Sequence, residues 1–452
     1  MKLSSKIVVV GGNAAGPAAA ARAKRISPNS EVLMIEAGNF ISTGTCEMPY
    51  VLSGAIKDYE DVIFFSAESF FNKKGVKVLV RHRVEQIDRK NKILKVLDRD
   101  ENKIKEIDYD KLILATGSVA KSLTLFLPGL KNVFTLKTVA DLIAIQKFIK
   151  ESKPKNAIVI GSGYIGLEIA EALKDINLDI TLLDVKEFPL PSADPVFSKK
   201  IMQLLEKHNI KFVGEISEIE PFIKDDLVIS LKAQNNFYKT DLVISCIGFA
   251  PNSYLAKESK IDIGLFSGIK IDNKLRTSDP NIFAAGDVTE VVNSVTGKPE
   301  FIPLAGQAYQ HGHIAGENAA GGNLCYDPVV KNISVKIFDN YFCSVGLNLE
   351  EAKRNGLNAE SISDETYNLV KIMPGSEKIL VNLIFEKTSK RILGGAFLGG
   401  KEVSGYADIL SSMIKLKQKA DVLENINFNY TPPLSPFNNP LNLLGRLSKK
   451  KK

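Results

Sequence analysis

The residue best suited to chemistry is Cys46, at the centre of residues 40–54, FISTGTCEMPYVLSG. A cysteine is a nucleophile only as its thiolate, so its surroundings decide its use. Pro49 and Tyr50 follow it, and proline is tolerated in the first turn of a helix. The pattern predicts a helix that starts at Cys46 and lowers its pKa through the helix dipole. Glu47 acts the other way, because an adjacent carboxylate raises a thiol pKa unless its side chain turns away. Ser42, four residues before Cys46, is read with the reacting group, and Thr45 as a substrate contact.

The other cysteines are Cys246, Cys325 and Cys343, and no two of the four form a C-x-x-C or C-x4-C pair. That argues against a structural zinc, against any metal site and against a local redox disulfide. Cys246 lies in an apolar run and reads as inert core. Cys46 therefore has no partner sulfur close in sequence.

Two glycine turns must position this thiol. The first follows an apolar run at Lys6–Val10 and reads Gly11, Gly12, Asn13, Ala14, Ala15, Gly16, with an alanine-rich helix expected over 17–24. Strand, glycine turn and helix in that order place a pyrophosphate on the helix N-terminus. Gly11 serves the tight turn and Gly16 close helix–strand packing; Asn13 departs from the usual second glycine. Glu36 ends the next strand about 20 residues past Gly16, where a carboxylate holds ribose hydroxyls.

The second turn is a complete G-x-G-x-x-G, running Gly161, Ser162, Gly163, Tyr164, Ile165, Gly166, between a strand and a helix expected over 167–173. Its acidic partner is Asp184, about 18 residues past Gly166. A carboxylate there accepts from a ribose 2′-OH and repels a 2′-phosphate, which favours NADH, with NADPH open through Lys186 nearby.

Between these units, residues 77–105 read as a small antiparallel meander, and residues 109–118 as a buried strand ending in Ala115, Thr116 and Gly117. Residues 242–248 form a strand ending at Gly248, and residues 277–287 a strand ending at Gly286 and Asp287. A long helix is expected within 303–320. From residue 332 strands (334–338, 379–385, 391–398) and a helix over 407–417 mark a separate α+β unit, closed by an extended YTPP segment at 430–433.

The 452 residues exceed one ordinary core. With 44% hydrophobic and 25% charged residues they suit a globular chain. No apolar run reaches the roughly 18 residues of a membrane span. The start, MKLSSKIVVVGG, carries no leader signature, so a cytoplasmic protein away from membranes is expected. The net charge of +7 draws partly on residues 449–452, read as a disordered basic tail. No basic stripe interleaved with aromatics points to nucleic acid. The positive balance suits polyanionic cofactors instead.

Taken in order, GGNAAG, ISTGTCEMPY, ATGS, GSGYIGLE, FAAGD and YTPP resemble the single-cysteine branch of the pyridine nucleotide–disulfide oxidoreductases across essentially the whole chain. The branch includes coenzyme A-disulfide reductases, CoA-dependent sulfur and polysulfide reductases, and NADH oxidases and peroxidases. The resemblance implies an α/β protein with two Rossmann-like units, for FAD and for NAD(P), and a C-terminal α+β dimerisation domain. It divides the chain into an FAD domain (1–120 and 248–325), an NAD(P) domain (121–247) and a dimerisation domain (326–448).

It implies further that the first fingerprint binds FAD with Glu36 on its ribose, and that Asp287 holds the ribitol. Ala115, Thr116, Gly117, Gly248, Gly286 and Ala305 line the flavin. Tyr164 resembles an aromatic gate where nicotinamide enters, and Glu168 lies near hydride transfer. The protein is expected as a homodimer, with Tyr430 reaching the partner's active site. Hydride from NAD(P)H would pass by way of flavin to Cys46, which reduces a disulfide, persulfide or polysulfide.

Arg22, Arg25 and Lys74 resemble CoA-contacting positions, so CoA enters as a candidate substrate or bound thiol. Tyr309, His313 and Asn438 stand where such relatives carry Asn, Arg and Lys. Ala14 stands where oxidases and peroxidases carry a histidine; His311 and His313 are the histidines left near the flavin region. Two further readings stay open: an NADH oxidase or peroxidase working through a Cys46 sulfenic acid, and a non-enzymatic flavoprotein redox sensor.

Overall fold

The computed structural model describes residues 5–126 and 128–450. Two parallel sheets dominate it, and their strands are apolar because helices and loops cover both faces. The first sheet runs Ile282–Ala284, Lys111–Leu114, Lys6–Val10, Glu31–Ile35, Lys77–Leu79. The second runs Val133–Phe134, Leu242–Ser245, Asn156–Ile160, Asp179–Leu183, Lys211–Val213. Each unit adds a three-stranded antiparallel meander: His82–Asp88, Ile93–Asp98 and Lys103–Asp108 in one, Ile219–Lys224, Leu227–Ala233 and Asn236–Lys239 in the other.

The chain leaves the first unit and returns to it through paired segments. Ser118–Ala120 lies antiparallel to Phe249–Pro251. A five-stranded antiparallel sheet closes the chain, in the order Asn332–Ile337, Asn340–Gly346, Ile392–Gly399, Lys378–Glu386, Ala359–Tyr367. Helix Val403–Lys415 packs on it through Val403, Tyr406, Ala407, Leu410 and Ile414.

Each glycine turn is dictated by space. Gly11 has φ +111, and a Cβ there would lie 2.1 Å from the Ala115 carbonyl oxygen. At Gly16 it would lie 1.8 Å from the Gly11 carbonyl oxygen, and Gly161 and Gly166 repeat the arrangement in the second unit. The fingerprint helices start earlier and end later than the sequence suggests, at Ala15–Ile26 and Tyr164–Asp175.

Three expectations are corrected. Lys77–Leu79 is the parallel edge strand of the first sheet, so the meander begins only at His82. Residues 430–433 do not run extended; Thr431 O accepts from the backbone N–H of Leu434 and Ser435, closing a turn. Lys449 and Lys450 are not a loose tail. They continue helix Pro440–Lys450, and Lys449 Nζ meets a Glu424 carboxylate oxygen at 2.5 Å. The first four residues, where no leader signature was read, and Lys451 and Lys452 lie outside the described residues.

The long helix Ala305–Ala319 lies against helix Ala15–Ile26 so closely that a Cβ at Gly312 or Gly316 would sit 2.1 Å from the carbonyl oxygens of Ala15 and Ala19. Backbone cannot yield as a side-chain tip can. Gly316→Ala is expected to destabilise the protein by about 1–3 kcal/mol, read as a lower thermal midpoint. Gly405→Ala, also helical but with nothing within 4 Å of the added Cβ, should be neutral or slightly stabilising.

Candidate active site

Cys46 is placed by the first nucleotide turn. Strand Ile41–Thr43 pairs antiparallel with Ile63–Phe65. Its Ser42 N–H donates to Gly12 O at 2.8 Å, and its Thr43 N–H to Asn13 Oδ1 at 2.9 Å. Asn13 thus replaces the customary glycine with a side chain that tethers the cysteine stretch. Ser42 and Ala14 both hold positive φ, +50 and +30, which non-glycine residues adopt at a cost. Thr45 is half-buried and Cys46 exposed. The helix begins two residues later, at Met48–Leu52, with Glu47 as its N-cap. Met48, Val51 and Leu52 share a core with Leu167 and Ala170 of the second fingerprint helix. The thiol is therefore set between the two nucleotide units.

Its electrostatics reverse one expectation. Cys46 is open to solvent as a residue, yet enough protein surrounds the sulfur to disfavour its charge. This desolvation raises its pKa, the charges of Glu47, Glu168 and Asp287 add to the rise, and Lys137 opposes them. A five-residue helix whose N-cap is itself a carboxylate does not lower this pKa. Glu47 does not escape the neighbourhood either; its carboxylate stands where a Gly44 Cβ would come within 2.6 Å.

Lys137 escaped sequence reading because it lies in no motif. Its Nζ is 3.5 Å from Asp287 Oδ2 and 4.4 Å from the Phe249 ring centroid. Tyr341 went without a role for the same reason, and Tyr50 was read only as part of the cysteine stretch. Burial, then Glu168, pushes Tyr50 up to about 12, with Tyr341 contributing from the C-terminal sheet. Glu168 is itself pushed up to about 7, by burial and then by Glu171. Glu171 is held by a Lys336 ion pair and by the Phe338 N–H at 2.6 Å.

The nucleotide turns fit dinucleotides. Glu36 accepts from the N–H groups of Gly12 and Gly38 at 2.6 Å each, which fixes its carboxylate beside the first turn. Asp184 accepts from Ser162 N–H and Oγ at 2.7 Å and from Lys186 N–H at 2.9 Å. A Cβ at Gly117, Gly163 or Gly248 would meet nothing within 4 Å, so those backbones face open space. Thr116 Oγ1 donates to Asn252 O at 2.7 Å, and Ser118 Oγ to Asp287 Oδ2 at 2.9 Å. Gly286, at φ +79, lies against Ala15, and Ala305 heads its helix, exposed. Tyr164 is hydrogen-bonded to Ser344 Oγ at 3.0 Å, with half-buried Ile165 behind it.

The basic residues divide. Arg22 is engaged by Glu317 in an ion pair, its Nε donating at 2.7 Å. Arg25 is exposed, and Lys74 lies 5.8 Å from the Phe65 ring centroid. Arg22 and Arg25 share their surroundings with His313, whose pKa falls through burial and then these two charges. Tyr309 stacks near His313, with ring centroids 6.5 Å apart. Tyr430 packs on Phe437 instead of on the protomer's own thiol. His311 is buried with both ring nitrogens unpartnered and its pKa pushed down to about 4. Cys246 is pushed up to about 12 by burial. Among the described residues no cluster of His, Cys, Asp or Glu is arranged to hold a metal, and no helix is long and apolar enough to cross a membrane.

Two dinucleotide turns converging on one thiol define a nucleotide-dependent thiol redox protein. Residues 5–312 match the family described as pyridine nucleotide-disulphide oxidoreductase, and residues 333–438 its dimerisation domain. The chain belongs to the pyridine nucleotide–disulphide oxidoreductases, flavin enzymes that use FAD and NAD(P)H. It is similar to an NADH oxidase of Methanocaldococcus jannaschii, 31% identical over 99% of both chains. A coenzyme A disulfide reductase of Staphylococcus haemolyticus is 29% identical over 97% of this chain and 98% of its own. A NAD-dependent persulfide reductase from A. fulgidus superposes with a TM-score of 0.95, 30% identical over 99% of this chain and 83% of that one.

The balance of charges around Cys46 can be read directly. Glu47→Gln removes a charge that raises the thiol pKa, so Cys46 alkylation at neutral pH should accelerate several-fold. Lys137→Met removes the charge that lowers it and should slow the same reaction. Peptide-level mass spectrometry after iodoacetamide checks both, with exposed Cys325 as the internal reference whose rate stays fixed.

Proposed function

We propose that this protein is an NAD(P)H-dependent reductase of disulfides, persulfides or polysulfides that works through the single thiol of Cys46. The observation that supports this most is a solvent-reaching cysteine fixed between two nucleotide turns with no second cysteine bonded to it. A reductase with one cysteine takes its second sulfur from the substrate. Cys46 thiolate attacks R–S–S–R′, the S–S bond breaks, and R′–S⁻ leaves a Cys46–S–S–R mixed disulfide. FAD, which Gly11 to Gly16, Glu36 and Asp287 would hold, would supply the relay of two electrons from NADH needed to return the mixed disulfide to Cys46 thiolate and R–SH. Overall, NADH, H⁺ and RSSR′ give NAD⁺, RSH and R′SH.

The chain's own residues bind and orient. Gly11, Gly12, Asn13, Ala14, Ala15 and Gly16 present backbone to a pyrophosphate, with Glu36 on the FAD ribose. Ala115, Thr116, Gly117, Gly248, Gly286, Asp287 and Ala305 form the remaining wall. Gly161, Gly163, Tyr164, Ile165 and Gly166 receive NAD(P)H, and the Asp184 carboxylate favours a free ribose 2′-OH, hence NADH. Arg25, Lys74 and the Phe65 ring offer a charged and aromatic rim to a nucleotide-bearing thiol such as CoA. Arg22, already paired with Glu317, is a weaker contributor. The exposed Tyr430, Leu434 and Phe437 support pairing of two copies, with small molecules rather than nucleic acid or membrane as other partners. Four unpaired cysteines fit a cytoplasmic setting.

The named NADH oxidase relative keeps oxygen or peroxide reduction as a second reading. Ala14 supplies no acid or base there, and His311, buried and pushed down to about 4, is a poor proton donor at neutral pH.

Cys46→Ser should lower anaerobic NADH-dependent reduction of CoA disulfide or polysulfide on the order of 10³-fold or more, with flavin content retained. Undiminished turnover in that variant overturns the proposal, and oxygen consumption that outpaces sulfur reduction in the unaltered enzyme favours the second reading. Asp184→Ala should erode the preference for NADH over NADPH roughly tenfold, measured as the ratio of kcat/KM values.

A further inference from the structure

We propose that Glu47 and Phe64 make the Cys46 site selective for disulfides whose arms are uncharged or cationic next to the S–S bond, and unfavourable to those that carry negative charge there. The inference rests on the sulfur-reductase reading and narrows its substrate class.

The two side chains meet at Gly44, two residues before the thiol. Strand Ile41–Thr43 pairs with Ile63–Phe65, and the Gly44 N–H donates to Val62 O at 2.8 Å. This pairing brings the tip of the Phe64 ring to 2.9 Å from the point where a Gly44 Cβ would stand. A Glu47 carboxylate oxygen lies 2.6 Å from the same point. Carboxylate and ring are therefore neighbours, and Glu47 follows Cys46 directly in the chain. Phe64 is 59% exposed, so its ring is open to an incoming group. Lys73 and Lys74 gather instead over the Phe65 ring, at 5.4 and 5.8 Å from its centroid. Successive side chains of a strand point to opposite faces, so these cations lie across the strand from Phe64.

An acidic group beside an open aromatic ring attracts ammonium groups and repels carboxylates. The charged groups that act on Cys46 are Glu47, Glu168, Asp287 and Lys137, and Lys137 is drawn to Asp287 at 3.5 Å. Three carboxylates against one cation leave around the sulfur the same sign that Glu47 gives it. An inorganic polysulfide carries its negative charge on the sulfur chain that must meet the thiol. A nucleotide-bearing disulfide such as that of CoA keeps its phosphates far from sulfur, at the end of an uncharged arm. A carboxylate at the thiol and a basic rim for distant phosphates are therefore compatible.

The test reads the field and the selection separately. In reduced holoenzyme, Cys46 is alkylated with neutral iodoacetamide and with anionic iodoacetate, and peptide mass spectrometry follows both, with exposed Cys325 as reference. The ratio of the two rates cancels the thiolate fraction, so it reports charge at the sulfur. Glu47→Gln should raise the iodoacetate-to-iodoacetamide ratio at Cys46 about threefold or more and leave the ratio at Cys325 unchanged. Raising salt to about 0.5 M should move the unaltered enzyme's ratio in the same direction, which tests the field even where the variant fails to fold. For selection, NADH-dependent kcat/KM is measured with cystamine, bis(2-hydroxyethyl) disulfide and 3,3′-dithiodipropionate, each divided by its rate with free 2-mercaptoethanol. The order should run cation, neutral, anion over about tenfold. Glu47→Gln should compress it, and Phe64→Ala should lower the cystamine value alone, about threefold. An alkylation ratio insensitive to Glu47→Gln and to salt, or disulfides reduced in no order of charge, overturns the selection and leaves the reductase reading intact. No NADH-dependent reduction of any disulfide, with an alkylation ratio that responds to Glu47→Gln, overturns the reductase reading and supports the charge assigned to the site.

Discussion

Two hydrogen bonds hold the functional centre of this molecule together. The amides of Ser42 and Thr43 donate to Gly12 O and Asn13 Oδ1. They bind the strand that delivers Cys46 to the turn that receives a pyrophosphate. The turn is rigid because Gly11 and Gly16 are pressed against backbone carbonyls, and the strand is rigid because it is paired on its other edge with Ile63–Phe65. A thiol anchored to a nucleotide turn can be served by whatever the turn binds. A thiol on a free loop could not.

That arrangement also explains what the sequence made visible. Glycines at close backbone approaches cannot be replaced without steric penalty, so both fingerprints stand out, as do Glu36 and Asp184 at the ends of the neighbouring strands. Lys137 left no such trace. It acts because the crossing segments bring it beside Asp287 and Phe249, and no local spacing reports that. Lys77–Leu79 was misplaced because a three-residue edge strand carries too little pattern to show whether its neighbour runs parallel. Lys449 looked like part of a loose basic end because its counter-charge, Glu424, lies on a different segment.

The electrostatics of the site depend on tertiary placement even more strongly. A helix start after Cys46 suggested a lowered pKa. The actual helix is short, capped by Glu47, and surrounded by Glu168 and Asp287. Desolvation and these carboxylates outweigh the dipole, whose influence is worth typically 0.3–1 kcal/mol on an exposed group. The cation that opposes them, Lys137, arrives from elsewhere in the chain. The chain alone therefore builds a thiol that resists ionisation, and a positive or electron-poor neighbour supplied by a bound ligand would act on it strongly.

This resistance bears on why one cysteine is enough. A site that disfavours thiolates also disfavours leaving one behind, which penalises a second ionised sulfur parked next to the first. With a dithiol, both sulfurs would suffer the same field within one protein. With a substrate that carries the second sulfur, the departing half can take a proton and diffuse away, and the protein needs to stabilise only one thiolate at a time. The half-buried carboxyl of Glu168 and the paired carboxylate of Glu171 lie on one helix face, yet among the described contacts only Glu171 has a cation and a backbone N–H. A sulfur held between two nucleotide turns, with no second cysteine bonded to it, is suited to opening a foreign S–S bond.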